Sequence, residues 1–280
     1  MNYFHFRQAK LHYLKTGSGP KTVFTFHGFA QTAGVFNQLS EHLKVDYTFY
    51  HFDVFFHGES TWSGISDPID LTVWKELIAE FLSQESITRI SLIGFSIGAR
   101  LALATLMSHP ARINSLVLIA PDGINRNFWY LLATYPWFIR VYFRRLITRP
   151  LSFFYLLNML LKLKLVHKSV IRLAETQMIN RRSRYRVYHC WQVLRKLQFR
   201  RRGIIKLINI HQINFSMVLG KKDKIIRPKR LSSLSFQTNG KFFLLETNHW
   251  KLLQEAIKLL NEEHKSMLPM LLTLLHFFYF

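Results

Sequence analysis

Through the first half of the chain, short apolar runs alternate with stretches of helical period. That is the pattern of strands and helices laid around a mostly parallel sheet. Residues 3–6 and 10–15 predict two strands, followed by the turn cluster Thr16-Gly17-Ser18-Gly19-Pro20. Thr22-Val23-Phe24-Thr25-Phe26 has no polar face to offer water and predicts a strand buried on both sides. A helix is expected near 34–43, a strand at 47–52, a Gly/Ser loop with Pro68, and a helix near 70–84. Ile90 to Ile93 predict a strand running into Gly94-Phe95-Ser96-Ile97-Gly98, then a helix from Ala99 to Ser108 and a strand from Ser115 to Ile119.

The alternation then stops. From Asn125 to about Leu207 the pattern is helical, rich in Phe, Tyr, Trp, Leu and Arg, with Pro136 and Pro150 marking breaks. Strand patterning returns at Phe215 to Leu219 and at Lys241 to Leu245, and a helix near 250–263 closes the region. The expected organisation is therefore one α/β core from residues 1–123 and 211–263, interrupted by a helical insertion over 124–210. Residues 264–280 form an apolar C-terminal tail to which the pattern assigns no role.

Composition changes this picture in two places. At 280 residues the chain can bury a full core, and its single cysteine, Cys190, can form no internal disulfide. Cys190 lies beside Trp191 in a basic helical stretch and is read as a packing residue. The formal charge is +22, and residues 123–210 hold nineteen Lys/Arg against the single acid Glu175. Such a charge attracts anionic partners without specifying a fold. No run reaches the roughly 18 uninterrupted apolar residues of a membrane span, and Met1 to Lys10 lack a signal-type apolar run. The expected location is cytoplasmic, with peripheral attachment to a membrane left open.

The candidate chemistry centres on Ser96. A strand, a Gly-x-Ser-x-Gly turn and a helix together expose a serine Oγ on a sharp bend, with Gly94 and Gly98 permitting the close turn. One oxyanion donor would be the amide of Ile97 at the helix start. The second would be the amide of Phe29, in the His27-Gly28-Phe29-Ala30 stretch that follows an apolar strand. His27 is read as a brace for that loop and Gly28 as room for close approach. A serine needs a base, and His249, in Thr247-Asn248-His249-Trp250 between the last strand and the closing helix, is best placed. A carboxylate should orient it from a strand end. Asp223 follows Phe215 to Leu219 through Gly220-Lys221-Lys222, while Asp122, in Ala120-Pro121-Asp122-Gly123, also ends a strand and is the alternative acid.

These stretches, with Phe52-Asp53 and His57-Gly58-Glu59-Ser60, resemble the α/β-hydrolase superfamily over roughly residues 10–123 and 210–262. The resemblance implies a mostly parallel sheet flanked by helices, with Ser96, Asp223 and His249 as nucleophile, acid and base. It implies Phe29 and Ile97 as oxyanion amides and residues 124–210 as a cap over the site. Two positions depart from the family's habit: Val54-Phe55-Phe56 precedes His57 where a proline and a glycine are common, and Asn248 stands where glycine often precedes the histidine.

The expected activity is hydrolysis of a carboxylic ester or thioester through an acyl-enzyme on Ser96, with no metal and no organic cofactor implied. Carbon–carbon bond hydrolysis by the same triad is the alternative within this chemistry. The non-enzymatic alternative is a basic protein binding a membrane or nucleic acid, although no nucleic-acid motif accompanies the basic aromatic segments. The partners expected are a small ester or acyl substrate and, through the basic insertion, an anionic membrane surface.

Overall fold

The computed structural model describes residues 2–64, 68–124, 130, 134–148, 150–164, 180–231, 234 and 237–276. The strands are β1 (Asn2–Phe6), β2 (Ala9–Thr16), β3 (Lys21–Phe26), β4 (Tyr47–Phe52), β5 (Thr61–Trp62), β6 (Ile90–Phe95), β7 (Ile113–Ile119), β8 (Asn214–Gly220) and β9 (Lys241–Leu245). They form one sheet in the order β1-β2-β4-β3-β6-β7-β8-β9, with β5 paired to β2. β1, β2 and β5 pair antiparallel at one end, and every pair from β4 to β9 is parallel. The chain is thus an α/β protein with a mostly parallel sheet, as the alternation predicts.

Helices cover both faces, because the central strands carry apolar side chains on both sides. In β3, Val23, Phe24, Thr25 and Phe26 are all buried. Successive residues point to opposite faces, so Phe24 and Phe26 join one apolar cluster while Val23 joins the other. On the first face lie α2 (Leu71–Gln84) and α3 (Ala99–Ser108). Helix α2 buries Trp74, Leu77, Ile78, Phe81 and Leu82, one helical stripe, and the Asp70 carboxylate caps it by accepting from the Val73 amide at 3.0 Å. Phe81 meets Phe4, Tyr13, Phe24 and Tyr50 edge-on. On the second face, α1 (Asn37–Leu43) packs with the C-terminal helix, which presents Leu252, Leu253, Ala256 and Ile257.

Between β7 and β8 the described segments are helical. They are α4 (Trp137–Thr148), α5 (Pro150–Lys162), α6 (Arg181–Val193) and α7 (Arg201–Ile210), followed after β9 by α8 (His249–His276). Pro136 stands immediately before α4 and Pro150 is the first residue of α5, where a missing amide hydrogen removes no helical bond. Cys190 is fully buried in α6, and burial pushes its thiol up to about 12, which keeps it protonated and unreactive.

Three features differ from the sequence reading. Thr61–Trp62 pairs with Ala9 and Lys10 as a two-residue strand, too short for periodicity to reveal, and buried Trp62 anchors it. Helix α7, placed by pattern within the 124–210 insertion, packs on α3 and buries Ile204 and Ile208 in the sheet-side core. The closing helix runs to His276 and so takes in part of the apolar tail, whose side chains from residue 263 lie outside the described residues.

One core side chain gives the fold a pH dependence. His51 is buried in β4, shares hydrogen bonds with Thr25 Oγ1 (2.8 Å) and Thr16 Oγ1 (3.1 Å), and stacks with the rings of Phe36 and Phe49. Burial lowers its pKa from 6.5 to about 4. The unfolded chain therefore takes the proton first as pH falls, and stability is lost between about 6.5 and 4. The slope for one such proton is about 1.4 kcal/mol per pH unit. Urea denaturation across this range is expected to show stability falling with acid, with a shallower slope in His51→Gln.

Candidate active site

Strand β6 is buried at Ile90 and from Leu92 to Phe95, and the chain leaves it in a turn that becomes α3. Ser96 sits at the top of that turn with φ +50°, a left-handed conformation that costs a non-glycine residue roughly 1–3 kcal/mol. Two glycines make the turn sterically feasible. A Cβ on Gly98 would collide with the carbonyl oxygens of Phe26 and His27, and one on Gly94 would lie 2.7 Å from Ala99 Cα. The backbone of Ser96 is also held from outside, since its carbonyl accepts from the Asp122 amide at 3.0 Å.

The partner side chains arrive from the other end of the sequence. Ser96 Oγ lies 3.1 Å from His249 Nε2, and His249 Nδ1 lies 2.7 Å from Asp223 Oδ2. The second carboxylate oxygen of Asp223 accepts from the amides of Ile225 (2.8 Å) and Ile226 (2.9 Å). With Nδ1 donating to an ionised carboxylate, Nε2 is left as an acceptor for the Ser96 hydroxyl proton. Asp223 and His249 are both buried, and the His249 ring stacks on Phe95 at 5.3 Å.

Backbone bonds between the ends of β8 and β9 keep Asp223 and His249 in register. Lys221 N–H donates to Leu245 O at 2.8 Å and Lys222 N–H to Thr247 O at 3.0 Å. His249 is the first residue of α8 rather than a loop residue. Asn248 accounts for this: its Oδ1 accepts from the amides of Trp250 (3.1 Å) and Lys251 (3.3 Å), as a helix cap does. The departure from a glycine at this position thus has a structural role.

The other acid candidate is engaged elsewhere. Asp122 Oδ2 accepts from Arg100 Nε at 2.9 Å and stands 2.8 Å from Arg100 Nη2, while Oδ1 accepts from the Gly123 amide at 2.7 Å. Arg100 is buried in α3, and burial works against its charge, which Asp122 restores. Its Nη1 also donates to Leu194 O at 3.1 Å, tying α3 to the segment after α6.

The loop carrying Phe29 is braced by a polar cluster of which pattern reading identified only His27 as a brace. His27 Nδ1 donates to Gly28 O at 2.7 Å, and its Nε2 accepts from the Val54 amide at 3.0 Å. Ala30, at φ +61°, donates its amide to His57 Nε2 at 2.9 Å, and His57 Nδ1 reaches Phe55 O at 3.1 Å. Burial, followed by the nearby His27, lowers the His57 pKa to about 3, so the ring stays neutral and keeps accepting. Asp53 joins these loops: it accepts from the amides of Ala33 (2.7 Å) and Glu59 (3.1 Å) and pairs with His12 Nδ1 at 2.6 Å. Burial alone would raise its pKa, but the hydrogen bonds from the two amides and His12 outweigh it and bring the carboxyl to about 2. The signal for this cluster lay in Phe52-Asp53 and His57-Gly58, whose matches carried no assigned contact.

The Phe29 and Ile97 amides have no hydrogen-bond partner among the described residues, and Ile97 opens the helical turn after Ser96. The Phe29 side chain is half-buried, meets His57 edge-on at 5.0 Å, and packs against both the sheet core and a cluster of Phe143, Val187, Tyr188 and Trp191 from α4 and α6.

A strained serine after a central parallel strand, bonded through a histidine to a strand-end aspartate, is the site architecture of α/β hydrolases. The alpha/beta hydrolase fold family matches residues 21–256, and the chain belongs to it. Among curated proteins, it is 30% identical over 131 residues to the pimeloyl-[acyl-carrier protein] methyl ester esterase of Nitrosomonas europaea, a match covering 46% of each chain. The chain thus spans less than half the length of the curated relatives it matches. Among solved structures, it superposes on MGS-M2, an alpha/beta hydrolase enzyme from a Medee basin deep-sea metagenome library, with a TM-score of 0.67 at 14% identity, covering 93% of this chain and 94% of that one. The enol-lactonase of Burkholderia xenovorans gives 0.66 at 13% identity, covering 96% and 100%.

Because Asp122 neutralises a buried arginine, Asp122→Asn is expected to lower stability in urea denaturation. The loss should be about 2 kcal/mol, less than the roughly 3–5 of a fully buried pair, since the Asp122 side chain is 27% exposed. The same variant should react with a fluorophosphonate within a few-fold of the parent rate.

Proposed function

We propose that this protein is a serine hydrolase that cleaves a carboxylic ester or thioester by acyl transfer. The observation that carries this reading is the hydrogen-bonded chain Ser96–His249–Asp223 built on a serine at φ +50°. In the first step His249 Nε2 takes the hydroxyl proton as Ser96 Oγ attacks the carbonyl carbon. The oxyanion is received by the amides of Phe29 and Ile97, fixed donors that need no reorganisation as charge develops. The tetrahedral species then collapses. Its carbon–oxygen or carbon–sulfur bond breaks, and the leaving alcohol or thiol departs with the proton from His249. Water, deprotonated by the same imidazole, attacks the acyl-enzyme and releases the acid, restoring Ser96. Asp223 remains ionised throughout and stabilises the imidazolium between steps.

The partial match to an esterase supports this choice among hydrolytic reactions. The cluster of Phe143, Val187, Tyr188 and Trp191 against Phe29 favours an apolar acyl group beside the oxyanion loop. In this reading His57 is a positioning residue: it holds Ala30, and thereby the Phe29 amide, without touching substrate.

Labelling by a fluorescent fluorophosphonate tests the proposal. The parent should label covalently and Ser96→Ala not at all, with His249→Ala and Asp223→Asn slowed by about 10³–10⁴-fold. A folded parent protein that fails to label would sink the proposal. For His57→Leu, the hydrolysis of a short p-nitrophenyl ester should show kcat lowered on the order of tenfold with KM nearly unchanged, as expected when a transition-state donor is misplaced. A change in KM alone would remove the positioning role.

A further inference from the structure

The strongest feature that the site leaves unexplained is the outward face of α4 and α5. On α4, Trp137, Phe138, Val141 and Tyr142 are exposed, Trp137 by 69%. On α5 and just beyond, Leu151, Tyr155, Met159 and Leu163 are exposed, the first two by 85% and 77%. Their spacing makes them faces, not scattered positions. Trp137 and Val141, like Phe138 and Tyr142, stand one turn apart, and Leu151, Tyr155, Met159 and Leu163 follow at successive turns. The two helices pack against each other, and the inner side of α4 places Phe143 in the cluster with Val187, Tyr188 and Trp191. Single exposed apolar side chains are ordinary, but a grouped set on adjoining helices calls for an occupant.

The charge around this face narrows the choice. From Trp137 to Lys164 the sequence holds six basic residues and no acidic one. Arg144 and Arg145 are exposed toward the end of α4, and Lys162 and Lys164 at the end of α5. A second copy of the chain would bring like charges together, which disfavours self-docking. An acidic protein would answer the charge but leave Leu151 and Tyr155 without a matching apolar partner. An anionic lipid surface answers both: aromatic and aliphatic side chains enter the headgroup region while Arg and Lys meet phosphates. Among the described residues no helix is long and apolar enough to cross a membrane, so contact would be interfacial.

We propose that the outward face of α4 and α5 docks on an anionic lipid bilayer surface, with Trp137, Phe138, Leu151 and Tyr155 inserted and Arg144, Arg145, Lys162 and Lys164 on the phosphates. This docking is independent of the chemistry at Ser96, so Ser96→Ala protein should bind vesicles as the parent does.

Flotation of the full chain with vesicles in about 0.1 M salt tests it, comparing phosphatidylcholine alone with an equal mixture of phosphatidylcholine and phosphatidylglycerol. The expected result is strong flotation with the anionic mixture and little with the neutral one. Arg144→Ala with Arg145→Ala should weaken binding by about fivefold per charge removed, near 25-fold together. Trp137→Ser with Tyr155→Ser should weaken it at unchanged charge, and circular dichroism checks that both double variants are folded. Absence of flotation with anionic vesicles overturns the proposal. So does undiminished binding by the Trp137/Tyr155 variant, which would reduce the contact to bulk charge. Equal binding to soluble polyglutamate, lost on the same two apolar substitutions, would assign the face to an acidic protein and overturn it as well.

Discussion

The arrangement of the site depends on one backbone constraint, the passage from β6 into α3 through a serine at φ +50°. A residue left to itself would relax out of that conformation. Ser96 is held there by the in-register pairing of β3 with β6, which sets Phe26 opposite Gly94, and by the approach of Gly98 to the end of β3. The Asp122 amide bonded to the Ser96 carbonyl closes the remaining freedom. The strain is offset by a core of fully buried strands, and the position of Ser96 follows from the sheet, not from local loop preference.

Buried polar groups around this turn divide into two sets with different tasks. Asp223 and His249 form a short directional chain toward Ser96. Asp53, with His12, His27 and His57, forms a bracing set that fixes the loops after β3 and β4 by accepting or donating at named backbone groups. Their protonation differs accordingly. Asp53 is held charged by its donors, whereas burial holds His57 neutral so that its nitrogen can accept the Ala30 amide. Most polar atoms of the set are satisfied in this way, as a low-dielectric interior favours, while His12 Nε2 is buried without a hydrogen-bond partner among the described residues.

Much of this was legible in the amino-acid pattern. The strands from β1 to β4 and from β6 to β9, together with Ser96 and His249, follow from apolar runs, from glycine spacing and from chain order. Which aspartate meets His249 was not legible between Asp122 and Asp223, because both end strands and the difference is the buried guanidinium of Arg100, which arrives from α3 and engages Asp122. That helix α7 packs on the core was not legible, because its Ile204 and Ile208 stripe is compatible with packing on any apolar surface. The contacts of Asp53 and His57 were hidden for a similar reason: hydrogen bonds between distant loops leave no periodicity. Asn248 shows the reverse case, where a departure from family habit is explained once the helix it caps is seen.

Strands β7 and β8 are immediate parallel neighbours, yet nearly a hundred residues separate them along the chain. To the sheet, that whole excursion is a connection whose two ends must emerge side by side. Its last part is fastened to the core, through Leu194 O on Arg100 and through Ile204 and Ile208 of α7, whereas the outer helices α4 and α5 can change in length and content with little effect on strand registers. Ser96 is encoded before the excursion and Asp223 and His249 after it, so their hydrogen-bonded chain is built from segments outside that change. Inheritance can therefore act separately on the segments that carry the Ser96–His249–Asp223 chain and on the outer helices α4 and α5 encoded between them.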